Sequence, residues 1–149
     1  HLCYVLDGDI LRQGLNRDLG FSHADRSENI RRTAEVAKLM NEASVTVIVA
    51  LISPFRQDRA TARATIGSHR FLEVFVDAPL EVCESRDPKG LYTKARNGQV
   101  PEFTGISSPY ESPIAPDLHL RTTMLSPEES ARRVMDHLER RDASRYGRA

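Results

Sequence analysis

Two aspartates separated by one glycine follow the first hydrophobic run of the chain. The run LCYVL ends at Leu6, and Asp7, Gly8 and Asp9 come directly after it. In an open α/β sheet, ligands bind in the crevice at the carboxyl ends of the strands. The pattern therefore predicts two carboxylates at such an edge, near a metal ion or a reacting hydroxyl. A DGD sequence also forms ordinary turns, so it does not establish a site by itself.

Several cations accompany these acids. Arg12 follows DGD in a predicted helix, and Arg26 and Asn29 lie three residues apart in the next one, on a shared face. Arg86 and Lys89 come much later in the chain. Taken singly, arginines can be surface residues. Carboxylates surrounded by cations suit a magnesium-phosphate substrate and a second anionic ligand, which is the combination that phosphoryl transfer requires.

Strands and helices are predicted to alternate along the chain. Strands are expected at 2–6, 45–51, 71–76 and 117–120, and helices at 10–16, 22–43, 57–66, 77–86, 91–97 and 126–141. This order predicts an α/β fold, with a parallel sheet and helices on both faces. Residues 87–116, rich in glycine and proline, are expected to form a lid.

Local signals sharpen these expectations. Ser22 and Ser126 have the form of helix N-caps, Gly67 that of a helix-ending glycine, and Asp77 that of a further N-cap. The unbroken apolar run at 45–51 predicts a strand buried on both faces. Ser53, which follows this run and precedes a proline, could either serve the site or cap the next helix.

The overall composition limits the classes of function. The 149 residues predict one domain, and 21 basic residues balance 21 acidic ones. Zero net charge argues against nonspecific nucleic-acid binding. No apolar run is long enough for a membrane span, and the five dispersed histidines do not predict a metal cage. Cys3 and Cys83 are expected to be core residues in a reducing, cytoplasmic compartment.

Several long motifs, in order, carry a resemblance to a known family. They are LDGD, RQGLNRDLGFS, ADRSENIRR, AEVAKLM, ISPFRQDR, EVFVDAPLEVCESRDPKGLYTKAR and EFTGISSPYESP, which together extend over residues 4–120. The chain resembles the adenylylsulfate kinase (APS kinase) family, which transfers the γ-phosphate of ATP to the 3′-hydroxyl of adenosine 5′-phosphosulfate (APS). The resemblance implies a P-loop kinase-like fold.

The resemblance also implies roles for individual residues. Asp9 would lie near the 3′-hydroxyl, and Arg12, Arg26 and Asn29 would hold the phosphosulfate. Phe21 and Phe103 would enclose the adenine, since aromatic rings stack on a flat base. Further substrate contacts would come from Ile52, Ser53 and Lys89.

The nucleotide side follows from the same resemblance. The cofactors would be ATP and Mg²⁺, with Asp7 as an outer partner of the metal. Arg86 and Lys89 would reach ATP, and Asp7, Ser53 and Lys89 would take part in catalysis. For Ser53, a phosphoserine role remains open beside direct transfer.

Two departures from the family pattern stand out. The family usually reads DGDN where this chain has Ile10, although a backbone contact there survives the change. No GxxxxGK[ST] sequence, the loop that binds the ATP phosphates, occurs in residues 1–149. We expect a preceding segment to carry the first strand and this loop; a molecule that began at His1 would not turn over ATP.

The resemblance leaves partners and alternatives to be tested. It implies a homodimer and a possible fusion or complex with ATP sulfurylase, in sulfate activation. An alternative is a catalytically inactive regulatory domain that binds APS, although binding alone would not require Asp9. Another small-molecule P-loop kinase would share the fold, but it would not account for Phe21, Phe103 and the FTGISSPYE segment.

Overall fold

The chain alternates strands and helices, as the sequence predicts. The computed structural model describes residues 2–146. In chain order the elements are β1 (Cys3–Asp7), α1 (Gly8–Gln13), α2 (His23–Glu42), β2 (Thr46–Ala50), α3 (Arg56–Ile66), β3 (Val74–Asp77), α4 (Leu80–Arg86), α5 (Leu91–Arg96), β4 (Leu118–Arg121) and α6 (Pro127–Tyr146). Strands β1 and β2 pair in parallel, and so do β3 and β4. The predicted α/β class with parallel strands is confirmed.

Two compact units make up the chain. The first unit extends to Phe71 and includes Leu91–Ser112; the second comprises Leu72–Gly90 and the residues from Pro113 onward. Strands β1 and β2 belong to the first unit, and β3 and β4 to the second. The predicted lid at 87–116 is divided, because its central part lies in the first unit and both its ends lie in the second.

One face of α2 carries both core residues and polar residues. Its buried positions recur at spacings of three and four residues, so they lie on one face: Arg26, Asn29, Ile30, Thr33, Ala34 and Ala37. Ala37 packs with Leu6 and Leu11, while Ile30 and Ala34 pack with Ala62 of α3. The apolar part of the face anchors α2, and its first turns present polar groups to the end of the β1–β2 pair.

Three of the predicted helix ends are confirmed. The Ser22 hydroxyl accepts a 3.1 Å hydrogen bond from the Asp25 N–H at the start of α2. Ser126 and Glu129 exchange bonds of 3.1 Å and 2.7 Å at the start of α6. Gly67 ends α3 with a φ of +94°, a conformation that glycine adopts without steric cost.

The prediction that Asp77 caps a helix is wrong. Asp77 is the last residue of β3, and its Oδ2 lies 2.8 Å from Nε2 of His119 on β4. Helix α4 begins only at Leu80, after a Pro79 cap that makes no side-chain bond. An N-cap side chain reaches only the first turn after it, so Asp77 lies too far upstream. Strand β3 also begins later than predicted, at Val74.

Strand burial differs from the prediction. In β2 only Val47 is half-buried; Ile48 and Val49 are exposed, so burial on both faces is wrong. In β1 only Leu6 is buried, Cys3 is exposed and Cys83 is half-buried, so the predicted core position of Cys3 is also wrong. Leu6 and Val47 pack toward α2, whereas nothing within residues 2–146 buries the opposite face of this strand pair.

The closing helix is longer than expected. It was predicted to end near Arg141, and α6 continues to Tyr146. Both α6 and α2 contain 20 residues. Neither of them, nor any other helix in the described part of the chain, is long and apolar enough to cross a membrane.

Candidate active site

A pocket of about 220 Å³ opens in the first unit, beside the ends of β1 and β2. Asp7 and Ala50 are partners in the register of the two strands, so the loops that follow the strands begin side by side. The pocket brings together eight of the predicted site residues: Asp7, Asp9, Arg12, Phe21, Arg26, Asn29, Ile52 and Ser53. Phe103 is not among its lining residues, and Arg86 and Lys89 belong to the second unit.

The two acids occupy different positions at the start of α1. Asp7 is the N-cap, and its Oδ1 accepts hydrogen bonds from the N–H groups of Asp9 (2.9 Å) and Ile10 (3.2 Å). A Cβ on Gly8 would come within 2.7 Å of Cδ2 of Leu51 and 3.4 Å of the Ala50 carbonyl oxygen, so a larger residue there would require the Leu51 side chain to move. Asp7 therefore orients the first turn, and the exposed Asp9 presents its carboxylate at the pocket.

Arg12 is held by the loop that follows α1. Its Nη1 donates to the carbonyl oxygens of Leu19 (3.1 Å) and Gly20 (2.7 Å). The guanidinium lies 4.4 Å from the ring centroid of Phe21, in the range of a cation–π contact. Arg12 and Phe21 therefore form one wall of the pocket.

Arg26 links two segments that are distant in sequence. Its Nε donates to the carbonyl of Phe21 (3.0 Å), and its Nη2 to the carbonyl of Glu102 (2.9 Å). Burial lowers the pKa of Arg26, as does the positive charge of Arg12, while Glu102 acts in the opposite direction. Within residues 2–146 no carboxylate forms an ion pair with Arg26. A buried cation bonded only to neutral carbonyls favours an anionic ligand.

Asn29 lies one turn further along α2 and is buried. Its Oδ1 accepts a 2.8 Å hydrogen bond from Nδ2 of Asn16, whose side chain is fully buried. Sequence reasoning did not single out Asn16. The only local signal was an asparagine at the last position of a short predicted helix, and its partner is 13 residues away.

Ser53 has a left-handed backbone, with φ at +41°. This region is uncommon for residues other than glycine and is often found at functional sites. The N-cap position of α3 is Phe55, which makes no side-chain cap bond, so the reading of Ser53 as the cap of this helix is wrong. Arg59, also missed from the sequence, donates a 2.6 Å bond from Nη1 to the Ser53 carbonyl.

Phe103 lies in a tight loop of the first unit. Its ring packs edge-on against Tyr92, with 5.0 Å between centroids, and its N–H donates to the Ser107 hydroxyl. The adjoining Glu102 is bonded to Arg26. The loop is thus tied to the pocket wall, while the pairing of Phe103 with Phe21 around a base remains a prediction.

The second unit holds the residues predicted to reach ATP. Arg86, at the end of α4, donates to the carbonyl (2.8 Å) and the hydroxyl (3.1 Å) of Thr122. Lys89 precedes Gly90, which has a φ of +64°. The roles of Arg86 and Lys89 in binding ATP therefore remain predictions. Across residues 2–146 there is no group of three or more His, Cys, Asp or Glu side chains that could hold a metal ion.

The fold and the pocket define a class. Parallel strands joined by helices, with acids, arginines and an aromatic ring at the strand ends, suit a phosphotransferase of the α/β class. The family model described as adenylylsulphate kinase matches residues 1–121. The chain belongs to the adenylylsulphate kinase family.

Individual relatives agree with this assignment. An adenylyl-sulfate kinase of Burkholderia ambifaria is 61% identical over 135 residues, which cover 91% of this chain and 75% of the relative. The structure of the Mycobacterium tuberculosis APS kinase CysC in complex with AMPPNP and APS is similar with a TM-score of 0.88 and 52% identity, covering 93% of this chain and 80% of that one.

Two further matches come from larger proteins. The bifunctional enzyme NodQ of Rhizobium sp. (strain N33) is 55% identical across 93% of this chain, which corresponds to 22% of NodQ. A hexameric APS kinase from Thiobacillus denitrificans matches with a TM-score of 0.67 and 31% identity, over 94% of this chain and 23% of that one. The same domain therefore occurs within chains much longer than this one.

Proposed function

We propose that this protein is an adenylylsulfate kinase that phosphorylates APS at its 3′-hydroxyl. The γ-phosphoryl group leaves ATP as its bond to the β-phosphate oxygen breaks, and a new bond forms to the 3′-oxygen. The products are 3′-phosphoadenosine 5′-phosphosulfate and ADP, and the hydroxyl proton is released. The observation that carries the proposal is the gathering of Asp9, Arg12, Arg26 and Asn29 in one pocket of a chain that belongs to this family.

Asp9 is the residue proposed to act on the acceptor hydroxyl. It is exposed at the pocket, and its backbone is fixed through the Asp7 cap. A carboxylate beside the hydroxyl accepts its hydrogen bond and then its proton as the phosphoryl group arrives. Because Asp7 sets the first turn of α1, the main chain of Asp9 is held beside the pocket.

Arg12, Arg26 and Asn29 are proposed to hold the phosphosulfate. The two guanidiniums lie on the Phe21 ring at 4.4 Å and 5.4 Å, so both positive charges are concentrated on one side of the pocket. The amide of Asn29 adds a neutral donor on the same helical face as Arg26. Charge-assisted hydrogen bonds of this kind are about twice as strong as neutral ones.

The base and the rest of the nucleoside are proposed to contact apolar and backbone groups. Phe21, half-exposed, offers a ring for stacking, and we propose Phe103 as the second ring. Ile52 and Ser53 follow β2 and offer backbone groups and one hydroxyl. Direct transfer from ATP requires no covalent role for Ser53.

ATP and Mg²⁺ are the proposed donor and metal. Mg²⁺ in phosphotransferases is held by one or two carboxylates together with substrate phosphates, rather than by a complete protein cage. Asp7 fits an outer position in such a set, because it has one oxygen in the helix cap and a second beyond it. Mg²⁺ would supply charge neutralisation at the phosphates, and Arg86 and Lys89 remain the proposed ATP contacts.

The compartment, oligomeric state and fusion partner of the enzyme are further parts of the proposal. We propose a cytoplasmic homodimer that can occur in a fusion or complex with ATP sulfurylase. The match to a small part of bifunctional NodQ supports the fusion. Because one similar structure is hexameric, a hexamer is the alternative to the proposed dimer. Light scattering on the full-length protein separates two subunits from six.

The test of the function is a coupled assay of the full-length protein with ATP, Mg²⁺ and APS. We expect ADP release that depends on APS, together with the appearance of 3′-phosphoadenosine 5′-phosphosulfate. APS binding by calorimetry without any turnover would support the inactive regulatory domain instead. Failure to bind APS would overturn the assignment of the pocket.

A further inference from the structure

Asn16 is a fully buried polar side chain that lies outside the pocket lining. Its Nδ2 donates a 2.8 Å hydrogen bond to Oδ1 of Asn29, which does line the pocket. Its backbone is held separately, because its N–H donates to the carbonyl of Leu11 at 2.8 Å. The side chain is therefore not needed to close the turn after α1.

The bond from Asn16 determines which end of the Asn29 amide faces the pocket. The carbonyl and amino groups of an asparagine lie on opposite sides of Cγ. With Oδ1 directed to Asn16, the two N–H bonds of Nδ2 are directed elsewhere. Within residues 2–146, the bond from Asn16 is the one hydrogen bond of the Asn29 side chain, and Nδ2 is not among the buried polar atoms without a partner. Nδ2 is therefore accessible and can donate to a ligand.

We propose that Asn16 is a positioning residue, which keeps the Asn29 amide turned so that its amino group donates into the pocket toward an anionic oxygen of the substrate. This rests on the proposed function, in which Asn29 contacts the phosphosulfate of APS. Without Asn16 the amide can rotate and offer its carbonyl oxygen, which an anion repels. The residue thus acts on specificity for a negatively charged substrate.

The stability of the fold alone does not explain an asparagine at position 16. Its Oδ1 is buried and has no hydrogen-bond partner among the described residues. A buried polar atom without a partner is unfavourable for folding. An apolar residue would fill this position without that penalty, and the bond to Asn29 is what it would lose.

Two variants separate positioning from folding. Asn16→Leu removes the donor and keeps a side chain that branches at Cγ. Asn16→Asp keeps the shape but can only accept when ionised, so it would draw Nδ2 of Asn29 toward itself and turn Oδ1 to the pocket. We expect the Kd for APS to rise about tenfold in the first variant and more in the second. The KM for ATP should stay near its wild-type value in both.

A double-mutant cycle with Asn29→Ala tests the coupling in the full-length protein. If Asn16 acts through Asn29, the double variant Asn16→Leu/Asn29→Ala should bind APS about as weakly as either single variant, and not about a hundredfold more weakly than wild type. Additive losses, or unchanged affinity in Asn16→Leu, would overturn the proposal. If Asn16→Leu folds poorly, Asn16→Asp is the deciding variant. A Kd for APS equal to that of the wild type in Asn16→Asp would also overturn the proposal.

Thr33→Val is the matched control. Thr33 is also fully buried on α2, and its hydroxyl donates a 2.7 Å hydrogen bond to the backbone carbonyl of Asn29. This bond does not involve the side-chain amide of Asn29. This variant should lower the melting temperature and leave the Kd for APS unchanged. Wild-type protein that fails to bind APS would refute the proposed function itself, whereas wild-type binding with unaltered Asn16 variants would refute only the role of Asn16.

Discussion

Arg59 donates a 2.6 Å hydrogen bond to the carbonyl oxygen of Ser53, the pocket residue with a left-handed backbone. The same guanidinium donates a second 2.6 Å bond to the carbonyl of Glu111. Glu111 in turn donates its N–H to Pro54 and accepts from the Arg56 N–H. Helix α3 thus holds the Ser53 loop and residues 111–112 together.

Replacing Arg59 by glutamine should loosen Ser53. A strained conformation persists only where its surroundings hold it, and a misplaced site group lowers turnover. We expect kcat/KM for APS to fall by about tenfold. Steady-state kinetics of the full-length enzyme check this, with Arg63→Gln as the control, since Arg63 lies on the same helix and contacts Phe71. Equal kinetics for both variants would show that Ser53 keeps its position without Arg59.

Replacing Arg26 by alanine should weaken APS binding by about 1.5–3 kcal/mol, the range for a lost charge-assisted hydrogen bond. Burial lowers the pKa of Arg26, and an anion in the pocket would offset that unfavourable burial of charge. Calorimetry measures the change. Arg31→Ala serves as the control, because Arg31 is exposed on the same helix and pairs with Glu28. Wild-type affinity after loss of Arg26 would refute its contact with the phosphosulfate.

Replacing Asp9 by asparagine should lower kcat by about a hundredfold or more, as expected for loss of a proton acceptor. The KM for APS should change little, because Asp9 acts mainly on the transition state. The control is Asp18→Asn, which alters a surface carboxylate paired with Arg32. Comparable losses in kcat and in substrate affinity would mean that Asp9 only positions the substrate.

The ion pairs of Glu28 should make the free energy of unfolding depend on pH in the acidic range. Hydrogen bonds from Arg31 and then Arg32 lower the pKa of Glu28 to about 2, against 4.5 ordinarily. A lowered folded-state pKa contributes stability that is complete above pH 4.5 and is lost as the pH falls through about 2. Thermal melts at neutral pH should therefore show Glu28→Gln less stable than wild type, with the difference shrinking toward about pH 2.

The exposure of these groups gives a second check on the Glu28 prediction. Screening by salt weakens exposed ion pairs, so about 1 M NaCl should reduce the difference at neutral pH. Glu42→Gln, at the other end of α2, is the control. A difference between wild type and Glu28→Gln that persisted unchanged in acid and in salt would contradict the ion-pair explanation.

Local patterns were sufficient to predict much of the site. The spacing of Arg26 and Asn29 on one helical face and the position of Asp7 and Asp9 after a strand depend on residues near one another in sequence. The caps at Ser22 and Ser126 are local in the same way.

Features that depend on distant partners could not be predicted. Asn16 acts through Asn29, and Arg59 joins Ser53 to Glu111, which is 52 residues from Arg59 in sequence. The exposure of Cys3 and Ile48 depends on what covers a strand face, which the composition of the strand does not reveal. The resemblance supplied the roles of Phe103, Arg86 and Lys89, and these roles stay predictions.

The cap at the start of α1 has a consequence for which residue can occupy position 10. Asp7 bonds the main-chain N–H of residue 10, and Ile10 is 66% exposed. The bond is therefore independent of the side chain that residue 10 carries. An isoleucine can then stand where the family usually has an asparagine, with the first turn of the helix unchanged.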